Sequence, residues 1–314
     1  PSGQDPPEAT RETLGGRVLT PLKIHMSEIS ATFGSVADLR NIVQSLSEML
    51  TDLTFKLIKR EDPSLLSGIE VFSLDSTKSC IMKVTLEAAV DGLDDLGSID
   101  ICVNAGHLFK VLRQIPGSST VKFSHSTGQV DTLLNICHYE IENSCRRSKD
   151  VIQMLEVVED EELDTSCAYD LRIKLELQIL KDFLQKASEF SSEDLTLMIE
   201  RSGSYDETIN KVTFKSDGVV KSQIEFFDFP DEDVNKIEID EAAMNMRDRP
   251  DENTENYRTI FEERFSLKFL KSFLKPLSNR AVVMNLLPQM PMRIDYSISE
   301  LSNVAFFIGP KNLQ

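Results

Sequence analysis

Apolar positions along this chain follow two periods. One recurs at i, i+3, i+4 and i+7, the spacing of a helix with one buried face. The other alternates with polar positions, as in a strand lying on a core. Alternation of Leu22, Ile24 and Met26 predicts a first strand and puts the start of the fold near residue 20. Val36, Leu39, Ile42, Val43, Leu46 and Leu50 predict a helix over about 35–50. Strand-like runs follow at 53–59, 68–75, 80–88 and 98–104. AGHLFKVLRQI, residues 105–115, predicts a second helix stopped by Pro116-Gly117, and further strands are expected at 119–125, 131–141 and 150–157.

After an acidic stretch, EVVEDEELDTS, the pattern begins again. LRNIVQSLSEM (39–49) aligns with LKDFLQKASEF (180–190): Leu39/Leu180, Gln44/Gln185, Ser47/Ser188 and Glu48/Glu189 are identical, and Arg40 meets Lys181. Asp52-Leu53-Thr54 matches Asp194-Leu195-Thr196. In the second helices Leu108, Leu112, Arg113 and Ile115 match Leu270, Leu274, Lys275 and Leu277. Order as well as residues repeats, which predicts two copies of one strand–helix–strands–helix–strands unit. The expected organisation is a flexible tail over 1–19, a first domain over 20–155, a connecting loop over 156–168 and a second domain over 169–314. The second copy carries an acidic insertion within 228–263. In it, KIEID (236–240) reads as a strand and 244–257 as a loop.

Charge sharpens the picture. The 314 residues carry a net charge of −18, so the general surface is expected to repel nucleic acid. The four helices, read as 34–50, 105–115, 177–189 and 265–277, hold eight basic residues and four acidic ones, giving them +4 and the remainder −22. Both second helices lack acids, and Lys268, Lys271 and Lys275 fall on one face of FSLKFLKSFLKPL (265–277). If the helices line one surface, that surface can hold a polyanion through its phosphates without reading bases.

Motifs for catalysis are missing: there is no G-x-G-x-x-G, Walker loop, G-x-S-x-G or H-E-x-x-H. The four histidines are scattered, and the five cysteines show no metal-ligand spacing and are expected to be reduced thiols of an intracellular protein. Paired acids such as Asp94-Asp95 read as solvated loops, which leaves a metal nuclease a remote alternative. No cofactor is expected, and with no run of 18 apolar residues no membrane span is expected.

GIEVFSLDSTKSCIMKVTL (68–86), ICVNAGHLFKVLRQI (101–115), FSLKFLKSFLKPLSNRAVVMNL (265–286) and PMRIDYSISELSNVAFFIGPK (291–311) resemble segments of the DNA sliding clamps of the proliferating cell nuclear antigen (PCNA) type. The resemblance extends over about 20–312. It implies an α+β duplicated DNA-clamp fold of two domains, each with two inner helices and outer antiparallel sheets, closing head to tail into a ring, usually a homotrimer. It implies a non-enzymatic processivity factor around duplex DNA that tethers DNA polymerase and other proteins carrying PCNA-interacting peptide motifs, in partnership with a clamp loader, in the nucleus or at a viral replication site. Carried over by position, the DNA-facing residues are Arg40, Lys110, Arg113, Lys181, Lys186, Lys268, Lys271 and Lys275. The pocket for partner peptides is implied at Leu74, Pro291, Phe307, Gly309 and Pro310, with Val158 and Leu163 from the connecting loop. The same fold class leaves two alternatives open, a checkpoint-clamp subunit and a monomeric viral-type processivity factor with one basic face.

Overall fold

The structure, a computed structural model, describes residues 28–60, 67–93, 97–126, 132–139, 147–157, 165–202, 209–227, 236–240, 258–275, 277, 281–299 and 302–311. The first half of the chain contains β1 (Glu28–Phe33), α1 (Val36–Ser47), β2 (Asp52–Ile58), β3 (Gly68–Leu74), β4 (Cys80–Glu87) and β5 (Ala89–Asp91). It continues with β6 (Ser98–Asn104), α2 (Ala105–Gln114), β7 (Thr120–Ser126), β8 (Leu133–Tyr139) and β9 (Arg147–Leu155). The second half contains β10 (Leu171–Glu176), α3 (Leu177–Glu189), β11 (Asp194–Ser202), β12 (Ile209–Asp217), β13 (Lys221–Phe227) and β14 (Lys236–Ile239). It ends with β15 (Arg258–Ser266), α4 (Leu267–Leu274), β16 (Ala281–Leu286), β17 (Met292–Ser297) and β18 (Asn303–Ile308).

The two halves share element order and pairing. In the first, β1 pairs with β5 and β7, the ladder continues through β8 to β9, and β2 pairs with β3 and β6, with β4 outside β3. In the second, β10 pairs with β14 and β16, continuing through β17 to β18, and β11 pairs with β12 and β15, with β13 outside β12. All these ladders are antiparallel. A short β6–β9 contact joins the two ladders of the first half, and a single Arg264–Lys311 bridge stands at the same place in the second. The halves are themselves joined where β18 pairs with β4, Phe306 opposite Met82 and Ile308 opposite Cys80.

Each helix buries an apolar stripe and exposes the opposite face. Val36, Leu39, Ile42, Val43 and Leu46 of α1 and Leu267, Leu270, Phe273 and Leu274 of α4 are buried. Phe273 stacks on Phe306 with ring centroids 3.8 Å apart, which ties α4 to the strand that joins the halves. The Ser35 and Asn104 side chains accept hydrogen bonds from the Asp38 and His107 amides and so cap α1 and α2.

One expectation is untested and two readings change. Residues 22–26 lie outside the described residues, and the first described strand is β1, where Ile29, Ala31 and Phe33 point into the core. The basic helix begins at Leu267, because Phe265 and Ser266 still pair with β11 and Phe265 is fully buried. The short β5 was not predicted, its three residues being too few to show a period. KIEID does form a strand, β14 on the edge of β10, and the expected loop 244–257 lies outside the described residues.

Candidate nucleic-acid interface

The basic helix residues divide by what their charged ends touch. Lys110 and Arg113 on α2, Lys186 on α3 and Lys268 on α4 are exposed on faces opposite the buried stripes. Lys271 is half-buried and donates to Ser188 Oγ at 2.9 Å, linking α4 to α3. Lys268, Lys271, Lys275 and Lys311 line an open pocket of about 630 Å³ with Glu48 and Glu193. Lys311 is also ion-paired with Asp194.

Arg40 and Lys181 do something the sequence pattern did not reveal. Arg40 Nη1 donates to the Ile115 carbonyl at 3.4 Å, and Lys181 Nζ donates to the Leu277 carbonyl at 2.6 Å. Ile115 and Leu277 are matching positions of the repeat, so the same contact is made twice. Each first-helix cation meets a carbonyl at the end of the second helix, where the helix leaves unpaired acceptors and partial negative charge. Burial of Lys181 lowers its pKa, against a smaller opposing pull from Asp182. Lys275 makes a third kind of contact. Its Nζ lies 3.2 Å from Glu48 Oε1 at the end of α1, an ion pair between the two halves of the chain.

A second candidate surface crosses the strands that join the halves. Leu74, Ile81, Phe307 and Arg293 occupy one row across β3, β4, β18 and β17. Strand alternation puts Phe306 in the core and Phe307 on the opposite face. Phe307 is nonetheless buried, with the Arg293 guanidinium 5.7 Å from its ring centroid. Ile81, missed in the sequence reading, is the central apolar residue of this row, and its place in the alternating run 80–88 was the available signal. The turn before it is held by Asp75, whose carboxylate accepts from the Ser79 and Cys80 amides, each at 2.7 Å. The Gly309 amide donates to Ser79 O, and Tyr169 Oη donates to the Pro291 carbonyl, which gathers Pro291, Gly309 and Pro310 at the ends of β17 and β18. Burial pushes the Tyr169 hydroxyl up to about 12. Val158 and Leu163 lie outside the described residues.

The outer strand β13 and the strand β9, which β6 covers only at Met154 and Leu155, carry the third signal. Val151 and Leu155 on β9, with Val219, Val220 and Phe227 at β13, make up five of the seven exposed large apolar residues among those described. Val219 is 85% exposed. Its amide is anchored to Phe190 O, and a side chain on the neighbouring Gly218 would come within 2.2 Å of that same carbonyl. Exposed apolar edges of this kind are templates for pairing with another strand. Among the described residues, no three His, Cys, Asp or Glu side chains gather as a metal site, and no helix is long and apolar enough to cross a membrane.

No family profile matches the sequence, and no curated protein matches it. The structure is similar to a crystal structure of the proliferating cellular nuclear antigen of Entamoeba histolytica, with a TM-score of 0.66 at 19% sequence identity. The match covers 91% of this chain and all of that one. The chain has a PCNA-like sliding-clamp fold.

Proposed function

We propose that this chain is a DNA sliding clamp, a non-catalytic processivity factor that closes with further copies of itself around duplex DNA. One observation carries the reading. Within a chain of PCNA-like fold one strand–helix unit is built twice, and the outer strand β13 and β9, which β6 covers only at Met154 and Leu155, hold five of the seven exposed large apolar side chains among the described residues. A head-to-tail contact between β9 of one copy and β13 of the next is heterologous and closes into a ring when the rotation allows. In that ring the helices face the channel. Lys110, Arg113, Lys186 and Lys268 are then the cations best placed for phosphates, without base selectivity. Arg40 and Lys181 serve first to fix helix positions.

The row through Leu74, Ile81 and Phe307 is the docking surface for partner peptides, DNA polymerase and a clamp loader among their carriers. Arg293 must move from the Phe307 ring for an aromatic anchor to reach it. The test has two parts. The purified chain is expected to sediment as a trimer, and once loaded it is expected to stay on circular DNA and be lost after linearisation. A monomer at micromolar concentration overturns the reading, as does retention that ignores the DNA ends.

A further inference from the structure

The row through Leu74, Ile81 and Phe307 is one end of a longer row. Its register continues from Phe307 to Arg293 on β17, Asn285 on β16, Arg172 on β10 and Glu238 on β14. Two positions away on each strand, the neighbouring row of the same face carries Lys83, Asp295, Lys174 and Lys236. The two rows hold five cations and two carboxylates, in a chain whose net charge is −18. Arg172, Arg293, Asn285, Asp295 and Tyr169 line an open cleft of about 760 Å³ there, on the face turned away from Phe306 and α4.

Hydrogen bonding in the cleft is lopsided. Asp295 accepts from Asn285 Nδ2 at 2.7 Å with one oxygen and from Arg293 Nε at 2.8 Å with the other. Glu238 faces Arg172 Nη1 at 3.3 Å and Lys236 Nζ at 3.4 Å, again with one oxygen each. Both carboxylates are therefore engaged, whereas a guanidinium has five N–H groups to place. Among the described residues Arg293 donates only through Nε, and its outer end lies over the Phe307 ring. An aromatic anchor arriving at Phe307 displaces that end toward a new acceptor. We propose that the cleft is a subsite for side-chain carboxylates of the partner peptide that docks on the apolar row, held by Arg172 and Arg293, a proposal that rests on the docking reading above. A carboxylate matches the paired N–H groups at the end of each guanidinium. The occupant is an acidic peptide segment rather than nucleic acid, because the cleft is continuous with an apolar row that a phosphate backbone cannot fill. Arg293 thereby acts as a selector, covering Phe307 until a partner offers both an aromatic ring and an acid.

Synthetic peptides test this against the full-length chain by fluorescence anisotropy at low salt. All carry the same aliphatic and aromatic anchors. One set has a run of glutamates beside them, on each flank in turn, and the other has glutamines in the same places. On one flank the glutamate peptide is expected to bind about tenfold more tightly than its glutamine counterpart. Arg172→Gln and Arg293→Gln are each expected to cut that ratio about threefold, the scale of an exposed ion pair, and the double variant to abolish it. The glutamine peptide is the reference in every variant. Equal binding of the two peptides by the wild type, or a preference that survives in the double variant, overturns the subsite and leaves the docking row standing. Displacement of the glutamate peptide by short duplex DNA also overturns it, in favour of a phosphate-binding face. If neither peptide binds, the docking row and the subsite fail together.

Discussion

The β4–β18 joint inside the chain and the matching strands β9 and β13 differ sharply in chemistry. Inside the chain, β18 meets β4 through Phe306, Ile308, Val304, Cys80, Met82 and Val84, all buried, with Phe306 stacked on Phe273. On β9 and β13 the corresponding positions are Asp150, Ile152, Ser148, Val220, Ser222 and Ile224. An aromatic is replaced by a carboxylate and a methionine by a serine. A seam inside one chain can be built as core, because the tether prevents separation. In the ring proposed above, a seam between copies would form on encounter and would have to be reversible. An inward-pointing acid on an edge strand further guards against indiscriminate pairing. The contrast teaches that one backbone arrangement can be made permanent or reversible by a few side chains.

The largest effect is expected from breaking the permanent seam. Phe306→Ala removes a fully buried, stacked ring and should lower unfolding stability by about 3–5 kcal/mol in chemical denaturation. Val220→Asp attacks the other seam. It should weaken self-association by about tenfold or more while leaving the melting temperature of the isolated chain nearly unchanged, since burying an unpaired charge is unfavourable only in the assembly. Asp150→Leu should do the reverse and tighten association up to about tenfold, by sparing the joint a desolvated carboxylate. Unchanged association would mean that Asp150 does not face the neighbouring copy.

Smaller effects separate cations that hold the fold from those proposed to face DNA. Lys268→Ala should reduce the salt dependence of DNA contact by about one unit of slope, as for one lost phosphate contact. Lys181→Met should leave that slope alone and change the pH dependence of stability instead. Burial lowers the folded pKa of Lys181 below 10.5, so between that lowered value and 10.5 the unfolded chain binds more protons than the folded one. The stability of the wild type relative to Lys181→Met should therefore rise with pH through that window, measured by paired urea titrations.

Much of this arrangement is legible in the sequence because amphipathic periods survive duplication. The strand at 98–104 and the helix from Ala105 stand where the pattern puts them. The start of α4 was misread because β15 runs into it without a capping side chain. Ser266 is still extended and makes no cap hydrogen bond, so nothing in the letters marks the change. The strand at 28–33 was legible but overlooked, since Ile29, Ala31 and Phe33 alternate regularly with Glu28, Ser30 and Thr32. The roles of Arg40 and Lys181 were not legible at all. Their partners are main-chain carbonyls 75 and 96 residues away, and a carbonyl carries no residue identity. Basic composition could identify the helices, but only geometry could show which cations were already engaged.

The seam between β4 and β18 also bears on how the chain folds. Its strands are joined by contacts such as Thr85 Oγ1 to the Asn303 carbonyl, separated by 218 positions in sequence. Closing so long a loop costs entropy before any pairing offsets it. During synthesis the first half must wait, with β4 uncovered, until the final strand emerges from the ribosome. An interrupted chain would expose an apolar edge to whatever strand it met first, which makes the last residues of this fold the guardians of its earliest part.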